Sequence, residues 1–202
     1  MIRFSTILFL IFLLSALPER TLAQQPETLL SGDIRHGGFG SLVFGVTSVN
    51  GQAAYLTGTR GAWSLRFADG QTLHIGLAGY STENGFDAVN VNNASLPELD
   101  LQYGGFETEY LNNSNSLIHY GGQLLVGAGT VRYRDRVPDL AKRSDSIFTI
   151  QPGANIHLNI TNWFRINGGV TYRLVNGSSL EGTSNSELSG FSAIIGLRFG
   201  WF

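Results

Sequence analysis

The chain has 202 residues, no cysteine, and 13 basic against 15 acidic side chains, for a formal net charge of −2 with Lys142 as the single lysine. That composition excludes a disulfide scaffold and a thiol enzyme, and it leaves no basic tract with which to hold a nucleic acid. Glycine is abundant at 26 residues and proline scarce at 5, while the apolar runs are too short and too broken by Gly for transmembrane helices, so the composition suits strands.

Residues 1–23 read as an export signal. Arg3 is followed by an apolar run from Ile7 to Leu14, then Pro18 and a Thr21-Leu22-Ala23 ending that suits a signal peptidase. The apolar core is far short of the roughly 20 residues that a membrane-crossing helix needs. A short polar leader occupies 24–36, and 37–202 suits a single barrel domain.

The alternation of apolar with small or polar residues predicts eight strands, near 37–48, 52–67, 72–81, 99–111, 117–132, 146–158, 163–174 and 188–202. Their links alternate in length. Ala68–Gln71, Asn112–Ser116 and Asn159–Asn162 are short turns, whereas Thr82–Glu98, Tyr133–Asp145 and Val175–Glu187 are long and polar, and Asn50-Gly51 makes a tight hairpin. This is the pattern of periplasmic turns and extracellular loops in an all-β, eight-stranded, antiparallel, up-and-down transmembrane barrel with both ends on the periplasmic side.

One face of each strand is apolar and is expected to meet lipid: Leu42, Phe44 and Val46 in the first strand, Tyr55, Thr57, Trp63, Leu65 and Phe67 in the second. Phe67, Tyr110, Tyr120, Trp163, Phe164 and Trp201 suit a lower aromatic belt, with Phe44, Tyr55, Tyr80 and Tyr172 for an upper one. Leu101, Tyr103, Leu125 and Val43 break this phase, which calls for a bulge or an apolar patch in the lumen.

The opposite faces carry the ionisable groups Arg60, Arg66, His74, Glu107, Glu109, His119, His157, Arg165, Arg173 and Arg198, together with Ser64, Gln123, Asn155 and Asn167. Arg66, His74, Glu109, His119, His157, Arg165 and Arg198 are expected near one depth. An eight-stranded barrel is just wide enough to be filled by side chains, and buried charges need partners, so Glu107 and Glu109 are expected between arginines with histidines bridging them. The result is a salt-bridge plug, which disfavours a pore. No cofactor is called for: His74, His119 and His157 lie on different strands beside arginines that would repel a metal ion, and no serine stands clearly beside His119 and Glu109 for a hydrolase. Arg132, Arg134 and Arg136 alternate at the upper end of the fifth strand and suit lipopolysaccharide phosphates or neighbouring loop acids.

The last twelve residues, FSAIIGLRFGWF, put Phe191, Ala193, Ile195, Leu197, Phe199 and Trp201 on one face. This stretch resembles the closing strand and terminal assembly signal of outer-membrane barrels, Gly196 with Phe199 and Trp201, although Phe202 lies one residue beyond and points to the other face if the strand stays regular. Together with Tyr103-Gly104-Gly105 leading to Glu107 and Glu109, and with Pro152-Gly153-Ala154-Asn155, the mature chain resembles a family of small outer-membrane β-barrel proteins from Bacteroidota and related bacteria. It departs mildly where related chains have GGRGGW and this one has Thr57-Gly58-Thr59-Arg60-Gly61-Ala62-Trp63. The resemblance implies the fold, a place in the outer membrane among its lipid and lipopolysaccharide, and insertion by the barrel assembly machinery; it supplies no active residues. A structural or surface-contact role through the outer loops, with an unknown ligand there, is the expectation. A lipid-modifying enzyme is the alternative, and a soluble lipocalin-like barrel with the faces inverted is the architectural one.

Overall fold

The computed structural model describes residues 34–88, 97–134 and 143–202. The expected signal and most of the leader, part of the Thr82–Glu98 and Tyr133–Asp145 connections, and Arg136 lie outside the described residues. Among these there are nine strands: β1 (Arg35–Val49), β2 (Gln52–Arg66), β3 (Thr72–Thr82), a two-residue β4 (Phe86–Asp87), β5 (Glu98–Asn112), β6 (Ile118–Tyr133), β7 (Ser144–Asn159), β8 (Phe164–Asn176) and β9 (Gly190–Trp201). A single helical turn, α1, covers Asn185–Leu188.

The eight long strands form a closed antiparallel barrel. Each pairs with its neighbours in sequence, β9 returns to β1, and β3 joins β5 across the long connection that carries β4. Closure leaves no open edge among the long strands, which is what a strand structure needs where no water can satisfy its backbone. The predicted Asn50-Gly51 hairpin is present, with positive φ at both residues (50° and 73°), the conformation that lets a two-residue turn follow the strand twist. Ladders run without a break except in β7–β8, which skips Gln151 and Pro152. Proline has no N–H to donate there.

The faces fall as the alternation predicts. Leu42, Phe44, Leu77, Phe106, Ile118, Ile156, Phe191 and Ile195 are exposed on the outside, whereas Arg60, His74, Glu107, Glu109, His119, His157, Arg165, Arg173 and Arg198 are buried inside. A soluble barrel needs the reverse, so the lipocalin-like alternative is overturned. Leu65 keeps the outward parity yet is only 8% exposed. Tyr110, Tyr120, Trp163 and Trp201 ring the short-turn end, where Trp163, Phe164 and Phe199 stack on one another at 5.0–6.2 Å between centroids.

Of the bulge or apolar patch that the phase break called for, the patch is what the lumen holds: the register of β5 to both neighbours is continuous, and Leu101 and Tyr103 share the inward parity of Glu107 and Glu109. They belong to an apolar cluster with Val43, Leu56 and Leu125 in the long-loop half of the lumen. Tyr80 is not part of the upper belt, because it is buried inside against Tyr103, with centroids 5.3 Å apart. The outer connections are not wholly solvated either: Phe86 and Ala88 from the first, and Leu180 and Leu188 from the third, join the same cluster. Ser184 caps α1 by accepting from the Glu187 amide at 3.3 Å, and buried Arg173 donates to the Leu188 carbonyl at 2.9 Å, to Thr47 Oγ1 at 3.0 Å and to the Ser48 carbonyl at 3.2 Å. The lumen therefore has two storeys, an apolar one beneath folded-in outer segments and a charged one toward the short turns.

Candidate functional site in the barrel lumen

The charged storey is built around Glu109, which β5 turns inward opposite His74 of β3. Its carboxylate accepts a two-pronged contact from Arg198 of β9, Nη1 to Oε2 at 2.7 Å and Nη2 to Oε1 at 3.0 Å, and a further hydrogen bond from Asn155 Nδ2 at 3.0 Å. Arg60 of β2 is placed between the two acids. Its Nε donates to Glu107 Oε1 at 2.6 Å, and its Nη2 stands 3.6 Å from Glu109. Two arginines thus meet two carboxylates, and the planar guanidinium fork suits such paired contacts. Asn167 Oδ1 accepts from Arg198 Nε at 3.0 Å, Tyr80 Oη donates to Glu107 Oε2 at 3.4 Å, and Phe39 lies 4.5 Å beneath the Arg198 guanidinium. Glycine makes room for this packing. A Cβ at Gly196 would stand 2.3 Å from Asn167 Oδ1, so the glycine expected in a terminal assembly signal also has a local steric role.

The other predicted members distribute unevenly. His157 Nε2 lies 3.4 Å from Glu109, and it is the one histidine that meets an acid among the described residues. His119 instead stacks on His157, centroids 5.1 Å apart, with its Nδ1 3.2 Å from the Ser116 carbonyl. Arg173 belongs to the upper storey and binds the Leu188 and Ser48 carbonyls rather than a carboxylate. Arg66 is half-buried and forms no ion pair among the described residues, and Arg165 stacks on Phe202 with its guanidinium carbon 3.9 Å from the ring centre. Neither therefore compensates Glu109, contrary to the expectation of a single seven-member layer. The physical reason is reach: Arg60 starts further from the short turns, and its long side chain extends into the layer that counting residues along the strand assigned to others.

A serine does stand beside a lumen histidine, though beside His74 and not the His119 considered for a hydrolase. Ser64 Oγ is 2.8 Å from His74 Nδ1, because the β2–β3 register sets the two opposite each other. The pair does not make a hydrolytic triad: His74 Nε2 has no hydrogen-bond partner, and Ser64, His74 and Glu109 are all buried inside the wall. Among the described residues no group of three His, Asp or Glu side chains is arranged to hold a metal ion. The stacked His119 and His157 rings present faces to each other rather than nitrogens to a common centre.

Phe39, the aromatic side of this storey, went unassigned in the sequence, although its inward parity with Ser41 and Val43 was there to be read. Phe202 turns inward as strand parity requires and rests on Phe39 with centroids 6.3 Å apart.

No family model and no curated protein sequence matches the chain. The fold does match solved structures. One is Ail, the attachment invasion locus protein of Yersinia pestis, in complex with the heparin analogue sucrose octasulfate: TM-score 0.51, 16% identity, covering 84% of this chain and 100% of that one. Another is Neisserial surface protein A, with TM-score 0.53 and 11% identity, covering 83% of this chain and 99% of that one. The chain has the fold of the small eight-stranded outer-membrane barrels.

Proposed function

We propose that this protein is a closed outer-membrane barrel with a structural or surface-contact role, acting at its outer rim rather than through its lumen. The observation that carries this reading is the double closure, an apolar storey under folded-in outer segments and a charge-paired storey beneath it, inside a wall whose outer face is apolar. The expected signal over 1–23 would export it, 37–202 would insert as one domain through the barrel assembly machinery, and both termini would face the periplasm. The kinship to a Bacteroidota barrel family belongs to the same proposal. At the outer rim Arg134 is held by Asp100 at 2.9 Å and Glu98 at 3.4 Å, while the Arg132 side chain is 53% exposed and 3.9 Å from Asp100. Arg132 is the side chain best placed to meet a lipopolysaccharide phosphate. The sealed Ser64–His74 pair gives a lipid-modifying activity no route to substrate.

Planar-bilayer recording with purified protein tests the closed lumen. A flat baseline is expected across the voltage range, and reproducible porin-sized openings would overturn the proposal.

A further inference from the structure

Arginines crowd the short-turn end of the barrel, and most of them lack an acid. Arg35 faces Arg66 across the β1–β2 ladder, and Arg165 faces Arg198 across β8–β9. Like charges directly opposite each other on neighbouring strands destabilise a sheet. Arg198 is compensated by Glu109. Among the described residues Arg35, Arg66 and Arg165 form no ion pair. Asp69, in the adjoining β2–β3 turn, accepts from the Gln71 amide at 3.1 Å and pairs with none of them.

Arg66 and Arg165 line one cavity at this mouth, of about 440 Å³, together with Ser114, Asn115, Asn162 and Phe202. Arg165 is only 7% exposed, yet its Nε has no hydrogen-bond partner. The Phe202 ring covers the flat face of the guanidinium and leaves its in-plane Nε–H without a partner. A buried cation whose Nε has no partner and a second cation thus share one cavity, no Asp or Glu side chain lines it, and among the described residues neither arginine forms an ion pair, the Phe202 main chain included.

We propose that this mouth binds a phosphate group, held by Arg66 and Arg165 with the Asn115 and Asn162 side-chain amides beside them. The guanidinium fork matches two oxygens of a tetrahedral oxyanion, and a phosphate would remove the repulsion between Arg35 and Arg66. The cavity is larger than phosphate alone, so a phosphate ester or a phospholipid headgroup fits its dimensions. The site goes beyond the surface-contact role and does not depend on it, since binding at the short-turn mouth is measured separately from conductance.

The test uses the full chain refolded in detergent micelles and titrated with inorganic phosphate, with chloride matching the ionic strength. Calorimetric heat and the unfolding temperature are the readouts. The wild type should respond saturably. Arg66→Gln, at the half-buried rim, should stay folded and bind about tenfold more weakly, as expected for loss of a charged hydrogen-bonding group. Arg165→Gln should lose the response, and Arg132→Gln at the opposite end should match the wild type. If Arg165→Gln fails to fold, Arg66→Gln carries the test. In nanodiscs containing anionic phospholipid, loss of the inorganic phosphate response identifies the headgroup as the occupant, and its persistence identifies a soluble phosphate compound; either outcome supports the site. No saturable response in the wild type, or an Arg66→Gln variant that titrates like the wild type, overturns it.

Discussion

Replacing Glu109 by alanine removes the acceptor for both prongs of Arg198, at 2.7 and 3.0 Å, and for Asn155 at 3.0 Å, and withdraws the second acid from Arg60 at 3.6 Å. Arg198 is then left as a buried cation with Asn167 as its remaining partner, while Arg60 keeps Glu107. Breaking a buried ion pair from one side costs on the order of 3–5 kcal/mol. On the scaling for soluble domains of this length, that lowers the unfolding temperature by roughly 6–20 °C. The assay is the temperature at which the fast-migrating folded barrel converts to the slow form on unheated gels. Glu181→Ala serves as the control, since that residue is exposed and its backbone carbonyl, which accepts from Tyr133 Oη, is retained. Replacing both partners, Glu109→Gln with Arg198→Met, should recover much of the loss, because the uncompensated charge is gone. The reasoning fails if Glu109→Ala unfolds at the temperature of Glu181→Ala, or if the double variant is no better than the single one.

Gly196→Ala should displace Asn167 from Arg198 and cost about 1–3 kcal/mol, as overpacking usually does, whereas Gly79→Ala, where an added Cβ meets nothing within 4 Å, should match the wild type in the same gel assay. Phe202→Ala should lower the unfolding temperature by removing the stack on Phe39 and the cover over Arg165. Trp201→Ala, at an 81% exposed position, should instead lower the yield of insertion into lipid vesicles at nearly constant unfolding temperature. Arg173→Met should free α1 by removing the guanidinium that ties its Leu188 carbonyl to Ser48 of β1, so limited proteolysis should cut within 177–189 before any other segment.

Strand number, the alternation of link lengths and the inward charges were legible because period-two alternation reports a face directly, and β2, β5, β7 and β9 keep it over most of their length. Tyr80 shows where residue type competed with parity. An aromatic near a strand end suggested an interfacial belt, yet its even spacing from His74 already placed it inside. Depth was harder to read. Whether Arg60 or Arg165 reaches Glu109 depends on how the strands are staggered around the closed barrel and on the length of the side chain, and neither is written within a single strand. The contact between Ser64 and His74 follows from the pairing across the β2–β3 turn. The apolar storey was legible only in part: Leu101 and Leu125 pointed to it, but Phe86, Leu180 and Leu188 are isolated apolar residues in polar connections and carry no period.

The pairing of Glu109 with Arg198 joins positions 89 residues apart, and the arginine lies on β9, which meets β1 at the closing seam. A sheet in which β1 through β8 have formed but β9 has not docked leaves Glu109 with Asn155, His157 and an Arg60 that is 3.6 Å away and shared with Glu107, and without its two-pronged partner. The electrostatic gain therefore arrives with the final strand and not gradually, so half-zipped barrels are disfavoured relative to both the open chain and the finished ring. Such a late, long-range contact makes closure slow and opening all-or-none. A seam that begins to part loses its charge compensation at once, which keeps a cylinder held by side-by-side hydrogen bonds from fraying at the join.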